Sequence, residues 1–106
     1  YYFCHRLPNE EGGLSVEGSF HSGDLWYVHG TLDRSWRAFG KADRDLSDLE
    51  ISYLTNFAKS ADPNGEGLPE WVPYTRENPC SMLLCAEPRM DAMEKNVGAL
   101  IAKYMD

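Results

Sequence analysis

The sequence lacks long apolar runs and clusters of basic residues, and it contains only three cysteines. No run approaches the roughly 18 to 20 apolar residues that a membrane-spanning helix needs, so no membrane span is predicted. The ten Lys and Arg residues are scattered among 17 Asp and Glu residues, which gives a net charge of −7. This balance argues against binding to nucleic acid or anionic lipid, because those partners need clustered basic side chains.

The three cysteines, Cys4, Cys80 and Cys85, are too few and too irregularly spaced for a structural metal site. A structural zinc site needs four ligands at suitable intervals, and the sequence has no C-x-x-C pair to supply two of them. We therefore predict no metal site. The expected state of the cysteines is a free, partly buried thiol, which mildly favours a reducing compartment such as the cytoplasm.

The length and composition of the chain are typical of one small globular domain. Of its 106 residues, 42% are hydrophobic and 25% are charged, so disorder is not expected. The first four residues, YYFC, are mostly bulky and favour a β-strand. Natural domains seldom begin inside a buried strand, because terminal residues are usually solvated. We therefore interpret residues 1–106 as the tail of a longer polypeptide; the alternative is a short edge strand at a true N-terminus.

The hydrophobic pattern predicts helices and a few short strands. Apolar residues at steps of three and four from Leu46 to Phe57 indicate a helix that ends before the breaker sequence DPNG. The predicted elements are a strand over 1–7, a helix from Ser22 or Asp24 toward Leu32, an irregular connection over 33–44 anchored by Trp36 and Phe39, a helix over 45–61, an extended segment over 68–75, a strand over 81–86 and a helix from Met90 or Asp91 to Tyr104. One or two short strands are marginal as a sheet, so the pattern predicts an α/β fold that is incomplete on its own.

Two apparent functional motifs fail on chemical grounds. Residues 13–17, GLSVE, resemble a nucleophile elbow around Ser15, but Glu17 replaces the small residue that the strained serine turn needs. Residues 62–73 begin like a calcium-binding loop, but Pro73 stands where a bidentate Glu is required. Neither a serine nucleophile nor a calcium site is therefore predicted in these segments.

The histidine at position 21 lies where an extended segment meets a predicted helix. Its neighbours Ser22 and Asp24 are also triad residue types, but residues of one short stretch cannot line up as nucleophile, base and orienting acid. Just before a helix N-terminus, the positive end of the helix dipole disfavours imidazolium and helps to keep the ring available as a base. From the residues alone, both a capping or solvated histidine and a general base stay open for His21.

Four stretches of the chain, taken in order, resemble the C-terminal part of the type-B carboxylesterases, the family that includes the para-nitrobenzyl esterases and the cholinesterases. They are YYFCHRLP, GSFHSGDLWYVHGTL, LSDLEISYLTNFAKSADPNGEGLPEWVPYT and SMLLCAEPRM. The third is the most specific, because TNFAKSADPNG followed by LPEWVPYT is a long pattern with little chemical reason to arise by chance. The resemblance implies that residues 1–106 are the C-terminal segment of one α/β-hydrolase domain.

The resemblance also assigns a role to the histidine. In this family the catalytic histidine lies on the loop after a late strand of the central sheet, and the matching position here is His21. The resemblance therefore implies that His21 is the general base of a Ser–His–Glu/Asp triad that hydrolyses carboxylic esters. No cofactor is implied.

The chain departs from the family pattern in two residues and in one larger respect. His29 stands where phenylalanine is usual in a YVFG run, and Leu54 stands where tryptophan is common in a WTNFAK run; both are packing positions. The larger departure is that the serine elbow, the oxyanion-hole glycines and the triad acid belong to other parts of the family's chain. The 106 residues alone are therefore expected to be inactive or nearly so.

Two interpretations of function stay open at this stage. The first is the C-terminal part of a serine carboxylesterase, whose partner is the remainder of the hydrolase domain and whose substrate is a carboxylic ester. The second is a non-catalytic binding module derived from the same fold. In both, the strand-prone segment YYFCH and the apolar helix faces need burial against a partner or a second copy. We therefore expect that the isolated chain is not a stable monomer.

Overall fold

In a computed structural model that describes residues 1–92, a three-stranded sheet packs beside helices, in agreement with the predicted α/β class. The elements in chain order are β1 at Tyr2–Phe3, α1 at Leu25–Val28, a 3₁₀ helix at Leu32–Arg34, α2 at Lys41–Ser60, β2 at Cys80–Leu84 and β3 at Arg89–Ala92. Within the described residues, no helix is both long enough and apolar enough to cross a membrane.

The sheet has β2 at its centre. Strand β1 runs parallel to it, with Tyr2 opposite Leu83 and Phe3 opposite Leu84. The predicted strand over 1–7 is too long, because pairing stops where β2 ends and the next residues bond elsewhere. The carbonyl of Leu7 accepts a hydrogen bond from the Ser15 N–H at 2.9 Å, so this part of the chain forms its own small loop. The predicted strand over 81–86 is confirmed as β2 to within two residues.

Strand β3 corrects the prediction of a helix beginning at Met90 or Asp91. Residues 89–92 pair antiparallel with β2, with Met90 opposite Met82 and Ala92 opposite Cys80. The open edge of β2 offers backbone partners to this segment, so residues 89–92 form a strand there. The rest of that predicted helix, residues 93–104, lies outside the described residues.

Helix α2 is the longest element, and the prediction of its C-terminal end is confirmed within a residue. It ends at Ser60, where Ala61 adopts a left-handed conformation with φ 59°. It begins at Lys41, four residues before the predicted start, because the Asp43 carboxylate accepts a hydrogen bond from the Gly40 N–H at 2.8 Å. An acidic side chain in the first turn satisfies a free N–H group and matches the helix dipole.

Helix α1 is a single turn and stops well before the predicted end at Leu32. Its C-terminus is closed by Gly30, which has a φ of 61° and donates from its N–H to the Tyr27 carbonyl. The Thr31 N–H bonds the Trp26 carbonyl at 3.0 Å. This pair of bonds is a Schellman motif, in which a left-handed residue ends the helix, and glycine adopts that conformation without strain.

The core lies between the sheet and the two helices. Tyr27 of α1 is fully buried at its centre, with ring centroids 5.2 Å from Phe3 and 5.6 Å from Phe39. The buried apolar residues around it are Leu7, Leu32, Leu46, Tyr53, Met82 and Leu84. The prediction that Phe39 anchors the 33–44 segment is therefore confirmed, whereas Trp36 is 65% exposed and is not a core anchor.

Candidate active site

The turn that carries His21 is tightly built. Gly23 donates from its N–H to the Phe20 carbonyl at 3.0 Å, and Ser22 holds a φ of 65°, a left-handed conformation that a serine rarely adopts. A Cβ on Gly23 would lie 3.0 Å from the Phe20 oxygen and 3.3 Å from Leu7 Cδ1, so a side chain at this position would be crowded. Strained non-glycine residues of this kind cluster at functional sites, where the surrounding structure fixes them.

Strand β1 and its flanking residue hold this turn at both ends. On one side, the Ser19 hydroxyl donates to the Phe3 carbonyl at 3.0 Å. On the other, the Tyr1 hydroxyl donates to Oδ2 of Asp24 at 2.7 Å. This hydrogen bond, together with burial and the Asp24 charge, raises the pKa of Tyr1 to about 12. His21 is thereby presented at the surface from a loop fixed to the sheet, with its ring exposed.

Ser15 and Asp24, which lie near His21 in the sequence, do not form a triad with it in the structure. The Asp24 carboxylate is engaged by Tyr1, and Ser15 is buried with its Oγ accepting the Glu17 N–H at 3.3 Å. Among residues 1–92, no hydrogen bond joins the His21 ring to a carboxylate or a hydroxyl. Residues 1–92 therefore show neither a nucleophile nor an orienting acid bonded to His21.

A buried polar cluster around Asp43 was not predicted from the sequence. Oδ1 of Asp43 lies 2.9 Å from Nε2 of His5 and accepts the Tyr27 hydroxyl at 2.7 Å, while Oδ2 accepts the Gly40 N–H. Burial and this carboxylate raise the pKa of Tyr27. The cluster joins the segment after β1, helix α1 and the start of α2. Because Asp43 already binds three donors, the arrangement supports a structural role for His5.

A second buried acid, Glu50, was also not predicted from the sequence, although it lies among the apolar positions of α2. Its side chain is 2% exposed, and neither carboxylate oxygen has a hydrogen-bond partner among the described residues. Burial, followed by the charge of Asp24, raises its pKa to about 8. Glu50 and Tyr1 line a common small cavity, so this buried carboxyl group lies close to the anchor of the His21 turn.

An apolar groove of about 490 Å³ runs along the second half of α2. Leu54 and Phe57, predicted to lie on the apolar face of this helix, are 41% and 56% exposed in the groove wall. Trp71 and Tyr74 of the extended segment form the opposite wall. Within residues 1–92, no cluster of three His, Cys, Asp or Glu side chains is arranged to hold a metal ion.

Comparison with known proteins gives a consistent set of relatives. A family model described as the carboxylesterase family matches residues 1–99. Bile salt-activated lipase of Rattus norvegicus is 44% identical over 83 residues, which cover 74% of this chain and 13% of the lipase. Carboxylesterase 1C of Rattus norvegicus is 35% identical over 79 residues, which cover 73% of this chain and 14% of that protein. The chain thus spans only about one-seventh of these relatives.

Solved esterase structures share the fold. A thermophilic PNB esterase matches with a TM-score of 0.75 at 23% identity, over 93% of this chain and 20% of its own. A carboxylesterase of Geobacillus stearothermophilus matches with a TM-score of 0.72 at 22% identity, over 97% of this chain and 21% of its own. The sheet and helices described above therefore have the arrangement found in one part of an α/β-hydrolase.

Proposed function

The chain belongs to the carboxylesterase family, and on this basis we propose that it is the segment of a serine carboxylesterase that supplies the general-base histidine, His21. In this proposal, residues 1–106 are the C-terminal segment of a single hydrolase domain. The remainder of that domain supplies the nucleophilic serine, the orienting acid and the oxyanion hole. The substrates are carboxylic esters.

The observation that carries the proposal is the construction of the His21 turn. The left-handed Ser22 and the close-packed Gly23 fix the backbone of this loop, and strained residues of this kind are common where a functional side chain is held in place. Bonds from Ser19 to Phe3 and from Tyr1 to Asp24 fix the loop against the strand on both sides. A general base must be held within hydrogen-bond reach of the proton that it takes, and fixing its loop serves that need.

The mechanism follows from the chemistry of a serine, a histidine and an ester. His21 takes the hydroxyl proton as the serine oxygen attacks the ester carbonyl, and it then gives that proton to the departing alcohol. Water, deprotonated by the same ring, releases the acid from the acyl-enzyme and restores the serine. The negative charge that forms on the carbonyl oxygen needs N–H donors supplied by the remainder of the domain.

The proposal is tested by replacing the corresponding segment of a PNB esterase with residues 1–106 and measuring turnover of a para-nitrophenyl ester. The recipient protein keeps its own serine and acid but loses its histidine with the deleted segment. We expect the chimera to hydrolyse the ester and the deletion protein to be inactive. A chimera that folds and binds a non-hydrolysable ester analogue yet shows no turnover would overturn the proposal and favour a non-catalytic member of the family.

A further inference from the structure

Two of the three cysteines lie at neighbouring positions where β1 and β2 end. Strand β1 pairs with β2 so that Phe3 is opposite Leu84, and the Cys4 N–H extends the ladder to the Leu84 carbonyl at 2.9 Å. The residues that follow this last pair are Cys4 and Cys85, and a side-chain hydrogen bond joins the two thiols. Neighbouring strands of a sheet are about 4.8 Å apart. This spacing lies inside the Cα separation of about 4.4 to 6.8 Å that a disulfide needs.

The surroundings of the Cys85 sulfur favour thiol exchange over inert burial. Both cysteines are half-buried and both are free thiols. The guanidinium of Arg89, on β3, donates a hydrogen bond to Sγ of Cys85 at 3.4 Å, so a positive charge lies beside this sulfur. Sγ of Cys4 lies 3.7 Å from the Leu84 carbonyl oxygen. Burial, and next the proximity of Cys85, raise the pKa of Cys4.

The third cysteine has a different position. Cys80 begins β2, and its Sγ lies 3.9 Å from the carbonyl oxygens of Val72 and Pro73. It is separated from Cys85 by the length of the strand, roughly 16 Å at 3.3 Å per residue. A disulfide between Cys80 and Cys85 would require β2 to unfold, so the native fold favours a disulfide between Cys4 and Cys85.

We propose that Cys4 and Cys85 are a redox-responsive dithiol, which closes to a disulfide that joins the ends of β1 and β2. A small-molecule disulfide such as oxidised glutathione serves as the oxidant. The Cys85 thiolate attacks one of its sulfur atoms, forms a mixed disulfide and releases one thiolate. The Cys4 thiol, after losing its proton, attacks Sγ of Cys85 and releases the second thiolate. The two protein thiols are oxidised, the small disulfide is reduced, and the two protons pass to the released thiolates.

The test is to oxidise the full 106-residue chain with oxidised glutathione, once in native buffer and once in concentrated urea, and to map the linked peptides by mass spectrometry. In the unfolded chain, loop closure favours Cys80–Cys85 over Cys4–Cys85 by roughly 60-fold, because the first loop is much shorter. We expect the native chain to reverse this preference and to lose two hydrogen atoms while Cys80 remains available for alkylation. The outcome does not depend on esterase activity.

Variants with one cysteine replaced separate the pairings. Cys80→Ser should keep the native product, whereas Cys4→Ser and Cys85→Ser should each abolish it. The proposal is overturned if native and unfolded chains give the same distribution of products, if Cys80 enters the native disulfide, or if the native chain gives only disulfides between two molecules.

Discussion

Oδ1 of Asp43 lies 2.9 Å from Nε2 of His5, across 38 residues of sequence. The same oxygen accepts the hydroxyl of Tyr27, so one carboxylate joins the segment after β1, helix α1 and helix α2. Replacing the Asp43 carboxylate with a neutral group leaves His5 and Tyr27 with a weaker hydrogen-bond acceptor. The stability of the chain therefore depends more on Asp43 than on any exposed acid of α2.

The first prediction concerns this cluster. Asp43→Asn should lower the free energy of unfolding by about 1 to 3 kcal/mol, because charge-assisted bonds to buried donors are lost. Asp45→Asn is the control, since Asp45 forms an exposed pair with Lys41 and its loss should cost at most about 1 kcal/mol. Urea denaturation measures both. Equal losses in the two variants would show that the cluster adds no special stability.

The second prediction concerns the pH dependence that Glu50 introduces. Its pKa in the folded chain is about 8, above the value of about 4.3 expected in an unfolded chain. Between these two values the folded state binds the extra proton, so this residue makes stability fall as pH rises and the loss is complete above the folded-state pKa. The facing ionisable groups are Asp24 and the hydroxyls of Tyr1, Tyr27 and Tyr53.

Glu50→Gln should therefore raise the free energy of unfolding at pH 7, by an amount on the order of 1 to 3 kcal/mol. The variant should also flatten the decline in stability between pH 5 and pH 8. Asp48→Asn, which alters an exposed acid of the same helix, should leave both properties nearly unchanged. Denaturation at a series of pH values measures the slope. The same slope in Glu50→Gln as in the original chain would contradict the assignment.

The third prediction concerns the groove beside α2. The exposed Leu54 and Phe57 should drive self-association of the isolated chain, because a contiguous apolar surface is costly to hydrate. Replacing both with lysine should weaken association at least about tenfold, which corresponds to the loss of only about 1.4 kcal/mol. Val16→Lys is the control, since Val16 is 95% exposed and lies outside the groove. Sedimentation equilibrium measures the change, and a monomeric original chain would contradict the prediction.

The sequence was sufficient for features that depend on local pattern. The end of α2 follows from the breaker sequence after Ala61, and β2 follows from a short apolar run. The sequence was insufficient where contacts between distant segments determine the structure. Strand β3 forms because the edge of β2 is available for pairing. His5 and Asp43 come together only in the folded chain. Glu50 was missed because an acid in an amphipathic helix normally faces solvent, although its position between Leu46 and Tyr53 on the apolar face was a signal of burial.

For the candidate site, the residues alone left two roles open for His21, and the family resemblance was needed to choose one. The turn geometry adds a physical reason, through the left-handed Ser22 and the two anchors to strand β1. The sequence of this segment did not identify a nucleophile or an acid for His21, and none of residues 1–92 hydrogen-bonds its ring.

The most direct test of the central claim is the rate of ester hydrolysis by the PNB esterase chimera with His21→Ala, compared with His29→Ala. Both histidines are exposed and both lie beside helix α1, so the two variants disturb the fold to a similar degree. If His21 is the general base, kcat should fall by roughly 10⁴-fold in His21→Ala and stay within about threefold in His29→Ala. A His21→Ala chimera that keeps most of its turnover would contradict the account.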